Sequence, residues 1–435
     1  VTLDASCARD VDSASASAQT HRVMPSPLAS PPATVMHEGH LPGSSGYRRV
    51  VVALFAAGLA TFALLYSTQA ILPALAARFE VSSTEATLTM SLATVSLGLA
   101  LLVVGPLSDV VGRTRLIHLS MLASVLCAIG CALAPSWTML LVMRCLMGAA
   151  LAGLPAVATA YLREELHAST HARAAGLYVG GTALGGMTGR LLTGYTAELA
   201  GWRWSLGAAA LLAAVCALVV RRLLPPSRRF VAAPTGIRAA ASMARRAVGD
   251  RALVGLYVIG GCSAGAMIGM LNVVGFRLEG PGFGLGLGAA SLVFLVYPLG
   301  SVSAASFGRL ADRVGRRAVL PIGAVVAIGG VLLTLSSSLV VVVAGLALLV
   351  VGFFAVHGIA SGWVPARAHA GGVSAGQAAS LYTVTYYLGS SVFGSLSAQA
   401  WTDFGWPGVV VLTVLLLVVT GALALRLRVT RSLLA

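Results

Sequence analysis

The chain is a succession of apolar runs of about 20 residues, separated by short loops that carry arginine. A helix rises about 1.5 Å per residue, so each run is long enough to cross roughly 30 Å of bilayer hydrocarbon. In lipid a spanning segment must satisfy its own backbone N–H and C=O groups, which selects helices. A β-barrel would instead show short alternating segments, and these runs do not alternate. Charged residues make up only 10% of the chain, against roughly 25% for a soluble domain, so there is too little charge to cover a water-facing surface. A multi-pass, all-α membrane protein is expected.

The basic residues set the topology and remove several function classes. All 29 are arginine, and the formal net charge is +15. The charge is dispersed over loops rather than gathered in a patch, so nucleic-acid binding is not expected. Without lysine there is no Walker-type phosphate loop and no Schiff-base chemistry. Most arginines fall in alternate loops, with only Arg78, Arg203 and Arg277 on the other side. The positive-inside rule then places both termini in the cytoplasm, which requires an even number of crossings. Twelve fit: 50–75, 85–107, 116–134, 138–161, 174–199 and 203–223, then 252–275, 288–308, 318–336, 339–364, 377–400 and 407–425. The implied organisation is a disordered Ser/Ala/Pro-rich tail at 1–46, a six-helix bundle at 47–223, a basic cytoplasmic linker at 224–250, a second bundle at 251–426 and a tail at 427–435. Pro225-Pro226 ends the sixth segment. Cys127 and Cys131 share a helix face, but no histidine or carboxylate accompanies them, so they are read as packing residues and no metal site is expected.

The two bundles are duplicates. Gly105-Pro-Leu-Ser-Asp109-Val-Val-Gly112-Arg113 recurs as Gly308-Arg-Leu-Ala-Asp312-Arg-Val-Gly315-Arg316, 203 residues later (308 − 105). Gly201-Trp202 recurs as Gly405-Trp406, and Leu177-Tyr178 as Leu381-Tyr382. This G-x-x-x-D-x-x-G-R turn resembles the signature loop of the major facilitator superfamily (MFS), and the likeness extends over nearly everything after residue 47. The resemblance implies the MFS fold, with twelve transmembrane helices in two pseudo-symmetric six-helix bundles and alternating access to a midplane cavity. It also implies a gating role for Gly105, Asp109, Gly112, Arg113, Gly308, Asp312, Gly315 and Arg316.

Other spans carry further candidates. Arg144, in Arg144-Cys-Leu-Met-Gly148, resembles a second family motif, R-x-x-q-G, and a charge within a span usually faces a cavity. Gly176, Gly185, Gly189 and Gly194 follow the spacing of the antiporter motif, but Arg190 stands where that motif has proline. Two intramembrane arginines with no acid within a span raise the possibility of an anionic or strongly hydrogen-bonding substrate. His357 is the best remaining intramembrane titrating group, a candidate for proton coupling alongside Arg144 and Arg190. Tyr66, Gln69, Asn272, Tyr382, Tyr386 and Tyr387, with the two arginines, are expected to decorate the substrate cavity.

Leu64-Leu-Tyr66-Ser-Thr-Gln69-Ala is similar to a bacterial group of drug and arabinose-type exporters. Proton-coupled antiport of small organic molecules across the bacterial inner membrane is therefore expected, with a functional monomer, no cofactor, and the proton gradient as energy source. A metabolite carrier for a sugar, amino acid or organic anion is the rival, and a non-transporting sensor is a weaker one. No nucleophile, base and orienting group occur together, so no enzymatic activity is expected.

Overall fold

The computed structural model describes residues 39–227 and 245–430. The helices are α1 (Ser45–Leu65), α2 (Leu72–Phe79), α3 (Ser83–Val111), α4 (Arg113–Ala132), α5 (Trp137–Leu151), α6 (Gly153–Glu165), α7 (His171–Ala200) and α8 (Trp202–Leu223). The second half contains α9 (Arg251–Glu279), α10 (Leu287–Ser291), α11 (Tyr297–Val314), α12 (Arg316–Leu333), α13 (Leu339–Ala370) and α14 (Ala375–Val429). Among the described residues there is no β-strand, only an isolated bridge between His40 and Leu166. Most of the expected N-terminal tail and of the basic linker lies outside the described residues. Residues 39–44, counted with that tail, are held against the loop after α6: His40 N–H donates to Glu165 O at 2.9 Å.

Ten stretches among the described residues are long and apolar enough to cross a membrane. The last, Ala375–Val429, has 55 residues, about 80 Å as a straight helix and far more than one crossing requires. It breaks at Gly405 (φ 64°, ψ −158°), a backbone conformation suited to glycine, and so supplies two crossings. The 30-residue α7 has the length but is diluted by glycine and threonine. Counting both, the described residues make twelve crossings, six in each half.

Three spans differ from the continuous helices expected, the fourth only by an interruption at Ala152 between α5 and α6. The first does not run unbroken over 50–75: α1 stops at Leu65, a 3-10 turn covers Gln69–Ile71, and α2 resumes at Leu72. Side chains take the acceptors that would continue α1. Ser67 Oγ donates to Leu64 O at 2.8 Å, and Arg144 donates to Leu64 O and Leu65 O. Pro73, near the start of α2, favours a fresh helix start. The eighth span, expected as helix over 288–308, contains a 3-10 stretch at Leu292–Val296 before α11. Pro298 supplies no N–H to bond back to Phe294, so the ladder is interrupted there.

Glycine spacing sets the tightest packing inside each half. Gly181, Gly185 and Gly189 form an i, i+4, i+8 stripe on α7 that lies on Phe55, Leu59 and Ala63 of α1. A Cβ on Gly181 or Gly189 would sit 2.5 Å from the Phe55 or Ala63 carbonyl oxygen. In the other half, a Cβ on Gly389 would lie 2.5 Å from Gly261 Cα. Small residues at helix contacts let backbones approach in a bilayer, where apolar side chains gain little over lipid.

The described ends, Gly39 and Thr430, lie on one side, called the termini side, because the number of crossings is even; the opposite side is called distal below. There, hydroxyls tie the halves together. Ser83 and Thr402 are 2.8 Å apart, Ser91 Oγ donates to Ser391 O at 3.0 Å, and Thr94 and Ser391 are 2.6 Å apart.

Candidate functional site

The break after α1 builds the site. Arg144 on α5 is fully buried, and its guanidinium donates to Thr89 O (2.7 Å), Leu64 O (2.9 Å), Leu65 O (2.7 Å) and Ser67 Oγ (3.3 Å). A cation at the carbonyl end of α1 also complements the helix dipole. Arg144 is thus bound by backbone oxygens of α1 and α3, and it fixes the bend that carries Tyr66 and Gln69.

Arg190 on α7 is likewise fully buried. Its Nε donates to Gln69 Oε1 at 2.5 Å, one terminal nitrogen to Gly186 O at 2.7 Å, and the other to Tyr297 OH at 2.8 Å. Three rings surround the guanidinium carbon, with centroids 4.0 Å (Tyr66), 4.3 Å (Tyr297) and 5.0 Å (Phe294) away. Cation–π contacts of this kind are worth about 2 kcal/mol when desolvated. Gln69 Nε2 in turn donates to Asn272 Oδ1 at 2.5 Å. Arg190 and Gln69 belong to the first half, Asn272 and Tyr297 to the second, so this polar chain crosses from one bundle to the other. Asn272 Nδ2 is buried and has no hydrogen-bond partner among the described residues.

His357 on α13 stands at the other end of an aromatic chain. Its Nδ1 is 3.0 Å from Tyr382 OH, and its ring stacks on Phe353 at 5.5 Å with a 10° interplanar angle. Tyr386 is 5.1 Å from the His357 ring and 5.1 Å from Tyr387, and it lies near Tyr66. Tyr66 therefore stands between the Arg190 cage and the His357 cluster. Of the proposed cavity set, the structure brings Tyr66, Gln69, Arg190, Asn272, Tyr382, Tyr386 and Tyr387 into one connected group. Arg144 braces that group from behind and makes none of these contacts.

The signature loops lie on the termini side. The Asp109 side chain is outside what the structure describes. Gly112 and Gly315 end α3 and α11 with φ of 95° and 90°, the turn for which glycine is needed. Arg113 Nε pairs with Glu164 Oε1 at 3.2 Å and also bonds Ser108 Oγ, both in its own half. Asp312 and Arg316 share a cavity with Arg317, Trp363, Arg367 and Arg428. Gly105 and Gly308 each face open space.

Tyr297 and Phe294 were not found from the sequence. Their signal was the Tyr297-Pro298 step, which restarts the eighth span and turns these rings toward Arg190.

Residues 52–394 match the family model described as Major Facilitator Superfamily. The chain belongs to the Major Facilitator Superfamily. It is a multi-pass membrane transporter of that type. "Inner membrane transport protein YnfM" of Escherichia coli (strain K12) is 38% identical, covering 88% of this chain and 92% of that protein. "Uncharacterized MFS-type transporter YybF" of Bacillus subtilis (strain 168) is 36% identical, covering 86% and 93%. Among solved structures, an inward-facing, occupied bacterial homologue of the lysosomal transporter Spinster superposes with a TM-score of 0.73 at 16% identity, covering 89% of this chain and 98% of that one. The nucleoside transporter NupG gives 0.66 at 15% identity, covering 87% and 99%. At these identities the solved structures speak to the fold alone.

Proposed function

We propose that this chain is a proton-coupled antiporter that exports small organic molecules from a bacterial cytoplasm, with both termini cytoplasmic. The observation that carries the reading is the row of adjoining side chains from Asn272 and Tyr297 through Gln69, Arg190, Tyr66 and Tyr386 to His357. It joins the contact between the halves to the one histidine in the cluster. A change of charge at His357 would be felt, through two phenols, at the bonds that hold the distal side shut. Coupling requires that kind of link, because a ligand shifts a conformational equilibrium only by its unequal interaction with the two states. The mixed aromatic and amide lining suits bulky amphipathic compounds, as expected of drug-type exporters.

One observation favours a second reading. Arg190 has no carboxylate partner among the described residues; its contacts are an amide, a carbonyl, a phenol and rings. A substrate carboxylate or phosphate would complete that site, which makes an organic-anion carrier the alternative.

The test uses proteoliposomes with an imposed pH gradient, screened with cationic dyes, sugars and organic acids. The antiport reading expects proton movement on adding dyes and its loss in His357→Gln. Proton movement with organic acids alone selects the anion carrier. Unchanged proton-driven transport in His357→Gln removes the histidine from the mechanism.

A further inference from the structure

The termini-side cavity of the second half, about 750 Å³, is lined by Arg316, Arg317, Arg367 and Arg428 with Trp363 and a single acid, Asp312. Four guanidinium groups in one cavity at the end of a membrane bundle have a cost unless something offsets them. Arg367 is offset by Asp250, with Nε–Oδ2 at 3.1 Å. Arg317 donates to the Arg428 carbonyl at 3.0 Å and lies 5.9 Å from the Trp363 ring, neither of which neutralises it. Arg316 and Arg428 have no acidic partner among the described residues. The same cavity holds the start of α12, whose N-cap Gly315 provides no side-chain cap. The first N–H groups of α12 therefore add partial positive charge.

The duplication supplies an internal control. In the first half, Arg113 pairs with Glu164. At the offset of the signature loops these positions become Arg316 (316 − 113 = 203) and Arg367 (367 − 164 = 203), so an ion pair is replaced by two arginines. Thr114 becomes Arg317 at the same offset. In the first half that space is taken by the chain itself: Thr114 Oγ1 donates to Pro225 O and accepts from Ser227 N–H. The second half has charge where the first has a folded-back strand of backbone.

We propose that this cavity binds the phosphate of an anionic glycerophospholipid from the termini-side leaflet, held by Arg316, Arg317 and Arg428. The surroundings suit a lipid in particular. Above the cavity, α12 and the end of α14 expose Ile322, Val325, Leu415, Val418 and Leu425, a face for acyl chains. Val314 at the cavity wall is also exposed. Basic pockets between spans on the side facing anionic lipid bind such headgroups.

The test is native mass spectrometry of the full chain after exchange from nanodiscs containing phosphatidylglycerol, phosphatidylethanolamine or phosphatidylcholine. Wild type is expected to retain phosphatidylglycerol over the other two, and Arg316→Gln/Arg317→Gln/Arg428→Gln to retain it at least tenfold less. Arg221→Gln/Arg222→Gln, in the first half, should retain it as wild type does. Arg316→Gln alone removes no bond described within the protein, so it keeps its fold and should show an intermediate loss. Equal retention by wild type and the triple variant overturns the proposal, as does preference for phosphatidylethanolamine, which would point to Asp312 and an amine. A further arm adds glycerol 3-phosphate in place of lipid. If it protects the protein from heating as well as phosphatidylglycerol does, the site takes soluble phosphates and the lipid assignment fails.

Discussion

Tyr297→Phe is the cleanest perturbation of the contact between the halves. It removes one hydroxyl, and with it the 2.8 Å bond from Arg190, while keeping the ring 4.3 Å from the guanidinium carbon. A bond from a charged donor contributes about 1.5–3 kcal/mol, and here its loss leaves a buried N–H unmet. In a distally open state that nitrogen would be hydrated in wild type and variant alike. The closed state is therefore penalised selectively by about 1.5 kcal/mol, or roughly tenfold in the open-to-closed equilibrium. Tyr297→Ala also removes a cation–π contact worth about 1–2 kcal/mol, which takes the expected shift to roughly a hundredfold.

The assay is labelling of Ser391→Cys, in a background lacking the native cysteines, by a membrane-impermeant thiol reagent applied only from the distal side. Ser391 is buried and faces Thr94 at 2.6 Å across the contact between the halves. Its labelling rate from that side follows the distally open population. Rates should rise about tenfold in Tyr297→Phe and about a hundredfold in Tyr297→Ala. If Phe labels as wild type, or Ala labels no faster than Phe, the Arg190 cage does not hold this side closed.

Four further outcomes follow from the packing. Arg144→Gln loses three bonds to backbone oxygens and should cost about 3 kcal/mol, read as a lower unfolding temperature in detergent. Arg144→Lys should recover little of it, because an ammonium cannot span the three acceptors as the planar fork does. Gly185→Leu should abolish folded protein on size-exclusion chromatography, since a Cβ alone would lie 2.7 Å from Leu59 Cα. Gly176→Ala, which meets nothing within 4 Å, should behave as wild type in the same experiment. Equal behaviour of the two glycine variants would show that the α1–α7 contact is not the tight one.

The fold was legible because it rests on signals that survive averaging. Apolar runs of membrane length, arginines in alternate loops and a loop repeated after 203 residues (308 − 105) each constrain the whole chain, and small errors in one segment do not alter the count. The site was legible only in part, and the missing part has a physical cause. Arg144 and Arg190 stood out as charges inside spans, but their partners are main-chain carbonyls and ring faces. Leu64 O, Leu65 O and Thr89 O leave no mark in the residue types that carry them. Tyr297 was passed over because the eighth span reads as a continuous helix until its 3-10 stretch is seen. Helix ends shifted for a similar reason: α13 continues through Pro365 to Ala370, because a proline inside a span costs less when neighbouring helices support the freed carbonyl.

The duplication explains why one asymmetric site forms at the contact of two related bundles. Gly185 and Gly389 share an offset of 204 (389 − 185), and both sit where helices press backbone to backbone. Five residues on, the repeat diverges, with Arg190 in one half and Gly394 in the other. Arginine at the first position projects across the contact to Tyr297, and Gln69 beside it reaches Asn272. Glycine at the second leaves room for that asparagine: a Cβ on Gly394 would come 2.9 Å from Asn272 Nδ2. Charge on one side and space on the other are complementary, and neither residue alone would build the contact. A symmetric pair of arginines would repel, and a symmetric pair of glycines would leave the Gln69 and Asn272 amides with no charge to organise them. Divergence at that single pair of positions therefore turns a packing repeat into a polar contact between the halves, while the tight glycine stripes one turn away preserve the bundles that hold it.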